Sequence, residues 1–280
     1  MAFKSEIVKL KTLELLENVG DMSLKRRARK IIEELDLKDG DEVLDLGCGD
    51  GYYLYFLSNL PLKLKLIGFD HDPIVLANAR KNLSSKKIKL IRGDIFKLPF
   101  KDNSVQKIIM TEVLEHVEDD KRALQEIFRV LKPKGVLVIT VPSLDYPFLW
   151  DPINWVLQRM FDTHISGTGF WAGIWARHAR LYQTKEMVSL MKKQKFNIEK
   201  IEEITSRAIP FNHHLINLVA RFLYDLKPPS EMSDPISKFK NVKKPLLIRT
   251  AFFMINMFDK LNDYFPGKHG LNIFVVARKT

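Results

Sequence analysis

The sequence predicts an α/β protein: a mostly parallel sheet with helices on both faces. Two observations carry this. From Asp41 to Pro142 short apolar runs alternate with amphipathic helical segments, the pattern of a sheet covered on both sides. The first apolar run continues as Val43-Leu44-Asp45-Leu46-Gly47-Cys48-Gly49-Asp50-Gly51-Tyr52-Tyr53, a strand that passes through a carboxylate into three alternate glycines and then an amphipathic segment, Leu54 to Leu60. Glycine takes positive φ and has no Cβ, so this turn lets the backbone come close to a ligand. The helix behind it presents N–H groups with no partner inside the helix. The turn reads as a nucleotide-like cofactor site, spaced G-x-G-x-G rather than the G-x-G-x-x-G of dinucleotide folds.

Composition sets the bounds. A chain of 280 residues buries a sizeable core as one enlarged domain or one domain with insertions. Its 46% hydrophobic and 28% charged residues describe a soluble globular protein. The net charge of +11 points to a polyanionic neighbour (nucleic acid or anionic lipid) or simply to solubility. The single cysteine excludes an internal disulfide and suits a reducing compartment. Met1 to Glu6 lacks the apolar region of a signal peptide, and no window approaches the roughly 20 apolar residues that span a bilayer. The expectation is a cytoplasmic protein whose membrane contact, if any, is peripheral.

Residues 1–40 read as two N-terminal helices. In the first, Phe3, Ile7, Leu10, Leu13 and Leu16 recur at helical spacing, with Gly20 as a stop. The second has Leu24, Ala28, Ile31 and Leu35 on one face and Lys25, Arg26, Arg27, Arg29 and Lys30 outside it, either a solvated face or a phosphate-contacting patch. Strands are expected at Leu64 to Phe69, Ile88 to Ile91, Val105 to Met110 and Val136 to Val141, with helices at Pro73 to Leu83 and Glu118 to Leu131.

Ligands of open α/β sheets bind at the carboxyl ends of the strands, where strand order reverses. Asp70 follows Gly47 by 23 residues, where a carboxylate can accept from both hydroxyls of a ribose, with His71 placed to lie against an adenine. Asp94 follows the third strand, where it can accept from an adenine amino group while Ile95 offers a backbone N–H. Any one of these aspartates is equally a turn or cap residue. Together, in order behind a glycine turn, they form a pattern.

That pattern resembles the class I S-adenosylmethionine-dependent methyltransferase superfamily, in its type 11-like form. The matching segments are Val43 to Tyr53, Gly68-Phe69-Asp70, Gly93-Asp94-Ile95, Thr111 to Val117 and Leu131-Lys132-Pro133-Lys134-Gly135, and the likeness returns at Arg177 to Glu203 and Leu271 to Lys279. Asp50 stands where threonine or serine is common, and Lys134 where glycine is common. The resemblance implies a Rossmann-like, seven-stranded sheet whose last strand is antiparallel, with Phe196 to Ile204 and Leu271 to Arg278 as the closing hairpin. It implies S-adenosylmethionine as cofactor. Asp45, Gly47, Cys48, Gly49 and Gly51 would surround its amino-acid part, Asp70 and His71 its nucleoside, Asp94 and Ile95 its adenine, with Thr111 at the end of strand four beside them.

Glu112, Glu115 and His116 cluster on one turn after strand four, and carboxylate with imidazole is a metal-ligand set. They resemble the E-x-x-E-H site of two branches of the superfamily, the ubiquinone-pathway O-methyltransferases and the small-RNA 2′-O-methyltransferases, in which a divalent ion holds the acceptor hydroxyls. In many other relatives such letters carry no metal, and the histidine closes a hydrogen-bond network under the cofactor. The reading adopted is no metal, with Glu112, Glu115 and His116 as the alternative set and His164 or His178 as its further ligand. The candidates for acid–base work are His178, Glu112 and His116.

Residues 41–280 then form the methyltransferase domain, with two insertions. In 143–177 lie all four tryptophans, Trp150, Trp155, Trp171 and Trp175, as a substrate lid or an aromatic mini-core. Arg177 to Tyr182 resembles an H-x-R-x-Y segment of many relatives. In 205–268 six of the thirteen prolines break the chain into short helices. An apolar stripe from Phe211 to Leu226 and an apolar run Ala251 to Phe258 flank Lys238, Lys240, Lys243, Lys244 and Arg249. This suits interfacial membrane attachment, a helical cap or a dimer contact. The expected function is methyl transfer to a hydrophobic small-molecule or lipid-linked acceptor, at a membrane surface. The alternatives are RNA methylation through Lys25 to Lys30, and a non-catalytic cofactor-binding scaffold.

Overall fold

A computed structural model describes residues 2–17, 19, 21–83, 87–167, 170–176, 178–207, 239, 246–265 and 267–280. Gly20, Arg177, the stripe from Phe211 to Leu226 and the cluster Lys238, Lys240, Lys243 and Lys244 lie outside them. The strands are β1 (Glu42–Leu46), β2 (Lys65–Asp70), β3 (Lys89–Arg92), β4 (Val105–Thr111), β5 (Leu131–Pro142), β6 (Phe196–Ile204) and β7 (Asn272–Lys279). They form one sheet in the order β3-β2-β1-β4-β5-β7-β6. β7 runs antiparallel to both neighbours, β5 and β6, and the other pairings are parallel. Strand order reverses between β1 and β4, so a crevice opens at their carboxyl ends.

Side chains alternate across the sheet with the two-residue period of a strand. Val43 of β1 faces the layer made by α2 (Met22–Leu35), α3 (Tyr52–Ser58) and α4 (Pro73–Asn82), whereas Leu44 and Leu46 face α5 (Asp120–Val130) and α7 (Thr184–Lys193). Phe274 and Val276 of β7 join the first layer and Ile273, Val275 and Ala277 the second. Each fully buried Leu, Ile or Phe contributes roughly 1.5–3 kcal/mol. β5 begins earlier than expected, at Leu131. A bulge opposite Val105 and Lys107 carries the chain through Lys134, whose φ of 63° explains why glycine suits that position.

Two N-terminal expectations change. In α1 (Ala2–Leu16), Ile7, Leu10 and Leu13 are exposed, and the packed side is Val8, Thr12, Leu15 and Leu16, the stripe at spacings of three and four that meets α2. The basic residues of α2 form neither a solvated face nor a phosphate patch, because all five have partners within the chain. Lys25 bonds Asn256 at 2.5 Å and Lys30 meets Glu202 at 2.7 Å. Arg29 joins Glu33 and Asp263, and Arg27 pairs with Glu112 at 2.9 Å. Arg26, buried, meets Asp259 at 2.5 Å and Asp263 at 3.0 Å. These acids belong to α8 (Leu246–Asp259) and the short α9 (Leu261–Tyr264), which Arg26 fastens to α2. At the other end of α2, the buried Lys107 of β4 donates to the carbonyls of Leu35 and Asp36 and pairs with Asp41 at 2.7 Å, satisfying a helix terminus.

The insertion at 143–177 holds α6 (Pro152–Phe161) and a 3-10 segment, Phe170–Trp175. It has its own small core of Tyr146, Ile174, Trp175, Leu181 and Leu271. A buried polar hub fixes it. Asp151 caps α6 through the N–H of Asn154, accepts from the Asn154 amide and from the N–H of Ile174, and Asn154 donates to the carbonyl of Trp171. Gly173 closes against this hub at φ 52°, ψ −123°, where a Cβ would collide with the Asp151 carboxylate.

Removing one partner of a buried ion pair strands the other charge. Arg26→Ala therefore lowers the unfolding free energy by about 3 kcal/mol in urea titrations. Arg29→Ala, whose side chain is 41% exposed, changes it by no more than about 0.5 kcal/mol.

Candidate active site

The glycine turn has the conformation its composition demands. Gly47, Gly49 and Gly51 have φ of 72°, 51° and 87°. A Cβ on Gly47 would press into Val113, one on Gly51 into Leu83 of the α4 side, and one on Gly49 would meet nothing. The turn is tied to β2, since the N–H groups of Gly47 and Cys48 donate to the carbonyl of Phe69 and that of Gly49 to Asp70 at 2.9 Å. Asp70 also accepts from the N–H of Asp72 at 3.0 Å. A carboxylate has about four lone-pair sites, so Asp70 retains capacity for two ligand hydroxyls.

A cavity of about 950 Å³ lies over these strand ends. Gly47, Gly49, Asp70, His71, Asp94 and Ile95 all line it, as does Phe69, against whose ring Gly93 leaves room. His71 stands at the open side, 88% exposed. Asp94 is exposed and its carboxylate accepts from the N–H of Phe96.

Four expected cofactor residues do not line this cavity. The Cys48 side chain packs into the core layer, where burial pushes its thiol well up, and its N–H is already spent on Phe69. Gly51 faces α4, and Thr111 is buried at the end of β4. Asp45 is wholly buried one layer behind the turn, and neither carboxylate oxygen has a hydrogen-bond partner. Burial holds its carboxyl well above the usual range, and the charges of Asp70 and Asp50 add to this. Asp45 is thus not among the residues that line the cavity.

Glu112 lines this cavity and also a second, of about 180 Å³. Its φ of 53° is rare for a residue with a Cβ and costs roughly 1–2 kcal/mol. Four contacts from three elements hold it there. Its N–H donates to the Thr140 carbonyl, and its carboxylate accepts from Thr140 Oγ1 at 2.9 Å, Asn272 Nδ2 at 3.0 Å and Arg27 Nη1 at 2.9 Å. Burial disfavours the Arg27 charge, but Glu112, Tyr53 and Asp21 more than offset this and hold the guanidinium protonated. Arg27 is a functional neighbour that the sequence reading passed over. Its spacing of four from Ser23 and Ile31, both buried, was the available signal.

The three acid–base candidates separate by cavity. His116 lines the large one, His178 the small one, and Glu112 both. Between the imidazoles lies Glu115, fully buried with both oxygens unpartnered, its Oε1 3.8 Å from each Nε2. Burial, then the charge of Glu112, raises its carboxyl well above the usual range. The alternative metal set of Glu112, Glu115 and His116 is not assembled. Glu112 is consumed by Arg27, Thr140 and Asn272, whereas Glu115 and His116 do come within reach of one point, together with His178, the further ligand named for the set. His164 stacks on Trp175 at 3.7 Å and belongs to the small aromatic core. Arg180 and Tyr182 secure the loop after β4: Arg180 donates to the carbonyls of Val117 and Glu118, and Tyr182 to that of Leu114.

The wide glycine turn and the ribose-compatible carboxylate fit S-adenosylmethionine. Asp70→Ala weakens its binding at least tenfold by calorimetry, through two lost hydrogen bonds and a loosened Gly49. Asp45→Asn behaves differently. Its folded-state pKa lies above the unfolded value, so the native state binds more protons and loses stability as pH rises between the two. The amide removes this penalty. In urea titrations the cofactor-free variant is more stable than the parent at pH 7, and the gain shrinks towards pH 4.

The comparisons agree with this geometry. Residues 44–139, about a third of the chain, match the family described as Methyltransferase domain. A probable S-adenosylmethionine-dependent methyltransferase of Mycolicibacterium smegmatis is 32% identical over 104 residues, 37% of this chain and 39% of that protein. Demethylmenaquinone methyltransferase of Staphylococcus aureus is 32% identical over 112 residues, 39% of this chain and 46% of that protein. The chain thus matches less than half the length of these curated relatives. The fold recurs in Haemonchus contortus phosphoethanolamine N-methyltransferase 2, solved in complex with S-adenosyl-L-methionine, at a TM-score of 0.56 and 20% identity over 91% of this chain and 52% of that one. At residues 44–139 the chain carries a methyltransferase domain of the class I S-adenosylmethionine-dependent superfamily.

Proposed function

We propose that the protein transfers the methyl group of S-adenosylmethionine to a hydrophobic small-molecule or lipid-linked acceptor. The observation that carries this reading is the meeting of two cavities at Glu112: a large one over the glycine turn for the cofactor, and a small one, walled by the aromatic insertion, for the acceptor. The bound cofactor supplies a methyl carbon made electrophilic by its sulfonium. Asp70 and the Gly47–Gly49 turn would hold its nucleoside and amino-acid parts. The chain's remaining work is positioning and exclusion of water, plus removal of a proton where the acceptor is a hydroxyl or amine.

Several features support an apolar acceptor presented at a membrane surface. Phe148, Leu149 and Trp171 are exposed on the insertion, within two residues in the chain of Trp150 or Gly173, which line the small cavity. Phe253, Met254 and Met257 are exposed on α8, which also bears the exposed Arg249. No helix among the described residues is long and apolar enough to cross a membrane. The demethylmenaquinone methyltransferase name of one relative points the same way. RNA methylation loses its sequence argument, because the basic side chains of α2 are spent inside the protein.

Calorimetry with S-adenosylmethionine tests the core of the proposal, since absence of binding would remove the enzyme reading. Flotation with anionic vesicles tests the surface. The protein is expected to float at low salt and to detach partly at high salt, and its retention in the soluble fraction would remove the membrane reading.

A further inference from the structure

Building on the methyl-transfer reading, we infer that the small cavity takes a single hydroxylated ring and that the ring oxygen is methylated with His178 as its proton acceptor. Size comes first. About 180 Å³ is close to the roughly 150 Å³ of a protein cavity that holds benzene. One ring fits, and any tail must remain outside. The walls agree, with Trp150, Ile174, Leu271 and Pro142 giving apolar sides.

The polar end holds the unpartnered Nε–H of Arg27 and one exposed lone pair, that of His178, beside groups that are largely spent. Both oxygens of Glu112 already accept hydrogen bonds. Asn272 donates to Glu112, and its oxygen accepts from Ser23 at 2.5 Å. His178 differs. Its Nδ1 lies 2.6 Å from the Ile174 carbonyl, which can only accept, so Nδ1 carries the proton and Nε2 of the neutral ring presents a lone pair. Burial keeps the ring neutral by lowering its pKa. Glu112 works against this and Arg27 with it, while Glu115 stands 3.8 Å from Nε2 and the His116 ring 5.2 Å away.

An apolar slot ending in a proton acceptor selects a ligand that brings a donor. A ring hydroxyl is the group that most needs this acceptor, because it must shed its proton as it attacks. The O–H proton passes to His178 Nε2. An oxygen lone pair forms the O–CH₃ bond as the carbon–sulfur bond breaks, and that electron pair stays on sulfur. The products are a methyl ether and S-adenosylhomocysteine, and the imidazolium returns its proton to solvent.

The test measures binding of 4-propylphenol, 4-propylanisole and 4-propylaniline to the full chain saturated with S-adenosylhomocysteine, and methylation of the phenol and the aniline. The phenol is expected to bind at least tenfold tighter than the anisole and to be methylated on oxygen. The rate should fall tenfold per pH unit on an acid limb lying below pH about 6.5, the ordinary histidine value. In His178→Phe, which keeps a ring in place, the phenol preference and the acid limb vanish while S-adenosylhomocysteine binds within twofold of the parent. Equal binding of phenol and anisole, or methylation of the aniline at a rate matching the phenol, overturns the inference. So does activity lost to a chelator and restored by Zn²⁺ or Mn²⁺, which would make His178 a cation ligand with Glu115 and His116. Binding of S-adenosylhomocysteine with none of the rings overturns the inference and leaves methyl transfer standing, whereas failure to bind S-adenosylhomocysteine brings down the underlying reading too.

Discussion

The Glu112 carboxylate is where the two halves of the site are joined. A residue at positive φ just past the end of a strand relaxes unless its surroundings over-determine it. Here β5 supplies Thr140, β7 supplies Asn272 and α2 supplies Arg27. The arrangement is costly to build, since three long-range contacts must form together. In return it fixes the wall between two cavities to within a hydrogen bond. It also explains why α2, outside the matched domain, is part of the active region. Without Arg27 the carboxylate would stand partly unpaired beside the buried Glu115.

The parallel half of the sheet was legible because its signals are local. Strands β1 to β4 lie within a residue or two of where apolar runs end at Asp70, Arg92 and Thr111, and Gly47, Gly49 and Asp70 gather at one cavity as their spacing implied. What the sequence concealed depends on pairings between distant segments. Nothing near Arg26 or Arg27 announces that Asp259 and Glu112 await them, so a basic helix face looked solvated. Cys48 sits among ligand-facing glycines, yet alternation turns its side chain to the core. In α1 the hydrophobic residues outnumber the positions that can be covered, and only packing chose Leu16 over Leu13.

Charge deserves the same treatment. A net +11 invites a search for a polyanion, but a formal sum does not say which cations are available. Arg26, Arg27, Arg29 and Lys30 of α2 are paired with Glu112, Glu202, Asp259 and Asp263, and the buried Lys107 serves helix-end carbonyls and Asp41. The lining of the cofactor cavity is negative instead, with the carboxylates of Asp70, Asp72, Asp94 and Glu118 against one arginine, Arg92. That sign suits a sulfonium and an ammonium group.

The hub of Asp151, Asn154 and Gly173 separates two kinds of residue within the aromatic insertion. The hub sets the path of the chain from inside, through bonds to backbone groups. The outer side chains of Ile153, Met160 and Phe161 are exposed and lie outside the hub. Selection can therefore rewrite the outside of the insertion freely while the inner scaffold stays as it is. The insertion is in this sense an interchangeable cover on a fixed frame, held by three residues.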